Sequence, residues 1–283
     1  MQSIYTSTAR FGAAQALSDE QIYKIAPSVF ALEAHESRSQ RFVAIPTIDI
    51  LNQLRREGFE CVGVKQSTAR SESRTNYTKH LLRLRRIADD AKYSVGDTVF
   101  EILLRNANDG TAAYDLLGGL FRIVCKNSLV RQCGTVDSVK VRHNGKNVIG
   151  DVIEGTYRVL GSAELALTAP QDWSRIALNR DDQEVLAQAA HTIRFGDADG
   201  NVSTPIRPTQ LLEARRFADQ RDDLWTTFNR VQENAIRGGL TAYNREADRH
   251  TTTREVRGID QDLKINKALW LIGEHFAKAK LAA

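Results

Sequence analysis

Five stretches decide the fold: FECVGVK (59–65), YTKHLLRLRR (77–86), TVFEILLRN (98–106), AAYDLL (112–117) and LFRIVCKN (120–127). Each alternates apolar with polar residues or carries a short apolar run. Turn-forming residues separate them, which is the pattern of strands and not of helices. Within Asn106–Gly110, NANDG, an Asp-Gly pair tolerates the positive φ of a hairpin turn. Gly118 and Gly119 mark a second bend or bulge. The reading is an antiparallel sheet over about residues 59–131.

Outside these strands the apolar period becomes helical. Ser18 and Gln21 have capping-box spacing, Leu17 and Ile22 match a hydrophobic staple, and the helix they start should stop near Pro27. Ile50, Leu51 and Leu54 stripe a second helix over about 47–57, closed by Arg55, Arg56 and Gly58. After Gly150, Ile153, Tyr157 and Leu160 form one stripe, and Leu186, Ala190 and Ile193 belong to another. Leu224, Phe228 and Val231 recur at i, i+4 and i+7 in a helix that ends at Arg237-Gly238-Gly239. The polar segment 243–258 reads as an exposed loop, and a last helix from about Asp262 carries Ile265, Leu269, Ile272 and Phe276. The fold class is therefore α+β, with helices before and after the sheet. Residues 1–150 hold the N-terminal helices and the sheet, and 151–283 form a mainly helical part that the sequence allows to pack on it as one continuous domain.

With 283 residues, 42% hydrophobic and 26% charged, the composition excludes disorder of the whole chain. No run reaches the roughly 18 apolar residues of a membrane span, and the first residues lack a signal-peptide pattern, so a cytoplasmic protein with no membrane partner is expected. Cys61, Cys125 and Cys133 have neither disulfide-framework nor zinc spacing. The six histidines are scattered, and the chain lacks a Gly-rich phosphate loop and a nucleophile elbow. Asp197, Asp199 and Asn201 imitate a calcium loop without its closing glutamate. No metal or cofactor is expected, and no local catalytic signature speaks for an enzyme.

Charge is concentrated in the strands. Between Lys65 and Arg86 seven basic residues meet one acid, and between Arg122 and Lys146 six meet one. Alternation puts Lys79, Arg83 and Arg85 on one face of their strand, and Arg122 with Lys126 on one face of theirs. Two such strands side by side would present a basic face to a polyanion, with Lys79, Arg83, Arg85, Arg122 and Lys126 contacting phosphates. As exposed charges, their removal should hardly alter stability. Tyr77, Tyr93 and Tyr114 interleave with the basic residues and offer rings for stacking. Charge alone favours, by a small margin, the plainer reading of a solvated outer face.

GGLFRIVCKNSLV (118–130), DLWTTFNRVQENAIRGGL (223–240) and TREVRGIDQDLKINKALW (253–270) resemble, in order, the motifs of domain-of-unknown-function family 932, the phage- and plasmid-like proteins of mobile elements. The matching positions include Asp109, Gly110, Tyr114 and Asn127, then Asn229, Gln232, Glu233, Asn234 and Arg237, and finally Thr253, Arg254, Asn266 and Trp270, all of open role. The resemblance implies a mobile-element setting and assigns no activity. Joined to the basic strands, it leads to the expectation of a DNA-binding accessory protein that binds or anneals single strands in recombination or replication, as a monomer or a homo-oligomer. One alternative is an inhibitor or adaptor of a host defence or repair protein. Another is a nucleic-acid-processing enzyme that gathers Asp109, Asn127, Asn229, Gln232, Glu233 and Arg237.

Overall fold

The computed structural model describes residues 16–69, 71–86, 97–123, 130–141, 148–161 and 163–282. Lys126, Asn127, Cys125 and Tyr93 lie outside them. The chain divides into two compact units, residues 1–132 with 136–167 and residues 133–135 with 168–283.

The first unit is built on a five-stranded antiparallel sheet in the order β1 (Phe59–Gln66), β2 (His80–Arg86), β3 (Thr98–Asn106), β4 (Tyr114–Ile123) and β5 (Val130–Val141). The fifth strand carries the sheet ten residues past its expected end, because VRQCGTVDSVKV stays rich in β-branched residues up to Val141. The Asp-Gly turn forms between β3 and β4, with Gly110 at φ 76°. Gly118 and Gly119 make no bulge, since β3 and β4 stay in register past them, Glu101 facing Gly119 and Ile102 facing Gly118. A register shift falls instead in β1, between Cys61 and Gly63.

Helix α1 (Asp19–Ile25) begins with the capping box of Ser18 and Gln21, and a 3-10 turn at Pro27 follows it. Together with α2 (Thr47–Arg56) and α3 (Val148–Gly161) it covers one sheet face. Ile22, Ile50, Leu51, Leu54, Val152 and Val159 there enclose Cys61, Val64, Leu82, Leu84, Ile102, Leu104 and Leu116, all at most 4% exposed. Burial pushes the Cys61 thiol up to about 12, so it stays protonated, the state of a packing residue and not of a nucleophile.

In the second unit α5 (Arg180–Phe195), α6 (Leu224–Arg237) and α7 (Ile259–Ala282) pack together, and α4 (Ala163–Trp173) delivers Trp173 to them. Leu224, Phe228 and Val231 are at most 1% exposed, so the stripe read from sequence does face the core. Trp173 stacks on Trp270 at 4.8 Å and meets Phe228 edge-on at 5.3 Å. Gly273 makes room for this cluster, since a Cβ there would come within 2.5 Å of the Trp173 ring. The Asp197–Asn201 segment is a plain turn in which Asp197 accepts from the backbone of Asp199 and Asn201. The segment read as a loop is a hairpin: β6 (Thr241–Asn244) pairs antiparallel with β7 (Arg249–Thr252). Its threonines and Tyr243 carry the β-propensity, while the absence of an apolar face concealed it in the sequence.

Candidate nucleic-acid interface

Strand pairing decides what the basic residues of the sheet do. Arg83 and Arg85 of β2 lie on the sheet face away from the apolar core of α1, α2 and α3, and Glu101 of β3 points into the space between them. Arg83 donates to Glu101 through Nε at 2.6 Å and Nη2 at 2.8 Å. Arg85 donates to the same carboxylate through Nε at 3.0 Å, and Nη2 adds a further contact. Glu101 is fully buried, and Arg83 and Arg85 are 5% and 6% exposed. Burial pushes the Glu101 carboxyl up, but the two guanidiniums more than reverse this and hold it below the usual carboxylate range. Gly63 and Gly119 leave space for the group. A Cβ on Gly63 would come within 3.2 Å of the Arg83 side chain, and Gly119 stands opposite Glu101. The Arg83 guanidinium also lies 4.1 Å from the centre of the Phe121 ring.

The single exposed basic face expected from alternation is therefore corrected on two counts. Arg83 and Arg85 are buried partners of a carboxylate and not solvated charges. Arg122 stands on the opposite face, that of Leu120 and Leu116, because it pairs with Thr98 while Phe121 pairs with Val99. Lys79 is half-buried just before β2, and Lys126 is outside the described residues. Glu101 was the missed signal: an acid inside the apolar run TVFEILL, beside a strand of arginines.

Among the described residues, the motif positions of the first unit make structural contacts. Asp109 accepts from the backbone and hydroxyl of Thr111 at 2.9 and 2.6 Å, which holds the turn. Tyr114 is fully buried in the core cluster and so offers no ring for stacking. Tyr77 is half-buried with its ring edge-on to His35. A fully buried polar seam joins helices to sheet. His80 is held by Ser28 Oγ and Thr47 Oγ1, each at 2.8 Å, and Asn106 Nδ2 donates to Thr47 Oγ1 at 3.0 Å. Burial pushes the His80 imidazolium down to about 4, so the ring is neutral near pH 7.

In the second unit the α6 positions brace the chain around the helix end. Asn229 donates to the Trp225 carbonyl, and Gln232 donates to Asn266 at 2.7 Å; Asn266 in turn donates to Asp262. Asn234 donates to the Leu211 and Glu213 carbonyls and accepts from Arg215 Nε at 2.6 Å. Glu233 takes a fork of two bonds from Arg216 at 2.6 and 2.7 Å and a third from Arg237 at 3.2 Å. Trp270 belongs to the aromatic cluster and donates to Glu274. Thr253 and Arg254 lie against the helix end, where Gly238 at φ 67° and ψ −153° occupies backbone space open only to glycine. A Cβ at Gly238 would stand 2.7 Å from the Thr253 and Arg254 carbonyl oxygens. Asp109 belongs to the first unit and the α6 residues to the second, and each has these local partners.

The hairpin is open to solvent. From Arg237 to Arg257 the chain carries five arginines, Arg237, Arg245, Arg249, Arg254 and Arg257, against three acids, and all five arginines are exposed. Arg237 pairs with Glu233, and Arg257 stands 3.8 Å from Glu255. Arg245, Arg249 and Arg254 form no side-chain ion pair among the described residues. The register puts Thr241, Tyr243, His250 and Thr252 on one exposed face, with Tyr243 and His250 edge to face at 5.4 Å. The Tyr243 hydroxyl donates to Asp248, which raises its pKa and fixes the ring. An open groove of about 460 Å³ runs between Val202–Pro205 and Tyr243–Glu246. Exposed rings, hydroxyls and cations on a two-stranded ribbon are a chemistry that takes sugars, bases and phosphates. No cluster of metal-ligating side chains occurs among the described residues, and none of their helices is long and apolar enough to cross a membrane.

Comparison with known proteins gives family without activity. No solved structure matches the chain significantly. Two proteins of Escherichia coli strain K12 are similar over nearly the whole length: UPF0380 protein YfjQ is 44% identical and UPF0380 protein YafZ 43% identical, each over 272 residues covering 94% of this chain and 95% of the relative. A family model described as a domain of unknown function matches residues 34–270, which include the buried triad, the polar seam apart from Ser28, the α6 brace and the ribbon, and the chain thus belongs to family DUF932.

Proposed function

We propose that this chain is a cytoplasmic nucleic-acid-binding accessory protein, acting on single-stranded DNA in the recombination or replication of a mobile element. The observation that carries this reading is the ribbon 241–252 with its surroundings, where exposed Tyr243 and His250 share one face, and the exposed Arg249 on the other face and Arg245 and Arg254 outside the strands form no side-chain ion pair among the described residues. Cations in that setting draw phosphates by counterion release, and the rings add contacts that do not depend on sequence. Arg83 and Arg85 of the sheet are not part of this surface, since both are bound to Glu101. Assembly of several copies along one strand belongs to the same reading. Fluorescence anisotropy with labelled single-stranded and duplex oligonucleotides at low salt tests it, with sedimentation of the complex reporting copies per strand. Tighter binding of the single strand is expected, and absence of binding to either would refute the proposal.

A further inference from the structure

The ribbon joins the rest of the second unit through a narrow neck. The chain goes out from the end of α6 and returns along residues 253–256. Backbone bonds close the two passages on each other: Gly239 donates to the Thr253 carbonyl, Thr253 to that of Leu240 and Val256 to that of Ile236, each at 2.8 Å. A side chain of another element then grips both passages. Arg194, in the last turn of α5, donates through Nε to the Ala235 carbonyl at 2.8 Å and through Nη2 to the Arg254 carbonyl at 3.1 Å. Gln210 and Arg215 add bonds on the outgoing side, to the Thr241 and Gly238 carbonyls.

The charge on Arg194 calls for an explanation. The side chain is half-buried, and desolvation pushes its pKa below the ordinary guanidinium value, with no carboxylate to offset it among the described residues. It stays charged all the same. Arg216 at this helix end meets Asp219 and Glu233, whereas Arg194 meets carbonyls. Ala235 lies in the last turn of α6, where carbonyls lack helical partners and the helix dipole favours a cation. That bond alone would cap a helix. The second bond, to the chain coming back from the ribbon, fixes the base of the ribbon on α5.

We propose that Arg194 is a positioning residue for nucleic-acid binding, which touches no nucleic acid itself and sets the orientation in which the ribbon presents Tyr243, Arg249 and His250. This rests on the nucleic-acid reading above and adds to it a residue on a different element that controls the ribbon. A ribbon already held in its binding orientation loses less freedom when a strand binds, and the difference appears as affinity. The test compares the full-length protein with Arg194→Lys, which keeps the charge and loses the planar fork, and Arg194→Met, which loses both. Binding of a labelled single strand is measured over a range of salt, and hydrogen exchange is followed in the free proteins. Both variants are expected to bind about tenfold more weakly at low salt, with the parent's salt slope because the phosphate contacts are the same in number. Exchange should quicken at the amides of 239–256 and stay as in the parent within α5, α6 and α7. Parental affinity in Arg194→Lys with a shallower slope in Arg194→Met would make Arg194 a phosphate contact and overturn the positioning role. Faster exchange throughout the unit would make it a general stabilising residue and overturn the role as well. Unchanged affinity in both variants would overturn it and leave the ribbon reading standing. Failure of the parent to bind the strand at low salt would overturn the nucleic-acid reading, and the positioning role with it.

Discussion

Glu101 is the residue on which the sheet's second face turns. Its carboxylate compensates two guanidiniums that water barely reaches, so removing it leaves two buried cations in place. Glu101→Gln is expected to cost about 3–5 kcal/mol, measured by urea unfolding. A loss under about 1 kcal/mol would show that the arginines are effectively solvated. His80 offers a pH test. Its folded-state pKa of about 4 lies below the roughly 6.5 of an unfolded chain, so the folded protein refuses a proton that the unfolded chain accepts. Its contribution to stability is present above pH 6.5 and is lost as pH falls toward 4, about 3 kcal/mol in all. Carboxylates titrate near the lower end of that window, so the comparison is between the parent and His80→Gln. The variant should be less stable at pH 7, and its stability should fall less steeply between pH 6.5 and 4.5. Parallel slopes would contradict the buried neutral imidazole.

At the scale of elements, Gly238 joins α6 to the ribbon through a conformation that a side chain forbids and at a spot where a Cβ would strike the following chain. Gly238→Ala is expected to lower stability by at least about 2–3 kcal/mol, measured by thermal or urea unfolding. A neutral change would mean that the turn rearranges freely. Much of this level was legible in the sequence. The Ser18–Gln21 capping box, the Thr47–Arg56 helix, the Asp109-Gly110 turn and the inward stripe of Leu224, Phe228 and Val231 all follow from local spacing. Four things were not legible, and all but the hairpin depend on neighbours distant in sequence. Alternation says that Arg83 and Arg85 share a face, yet only the pairing of β2 with β3 reveals that Glu101 occupies it. Arg122 alternates correctly within β4, but strand register assigns it to the other face. The hairpin 241–252 escaped because both its faces are polar or half-exposed, so it carries no apolar period. The motif positions in α6 look catalytic in composition, and their roles appear only when Arg215, Arg216 and Asn266 are seen to be their partners.

For the whole molecule, a modest excess of positive charge, +4 at pH 7, matters less than which cations are exposed. Burial and ion pairing withdraw Arg83 and Arg85, while the ribbon leaves Arg245, Arg249 and Arg254 in water. If those arginines meet phosphates, single-strand affinity must fall steeply with salt, by about 0.7 log unit per phosphate contact for each log unit of salt. The most direct measurement is that slope for the parent and for the Arg245→Gln, Arg249→Gln double variant, whose stability should be unchanged because both side chains are exposed. The account predicts tight binding by the parent at low salt and a slope shallower by about 1.4 in the variant, on oligonucleotides of any sequence. Identical slopes for the two proteins would contradict it.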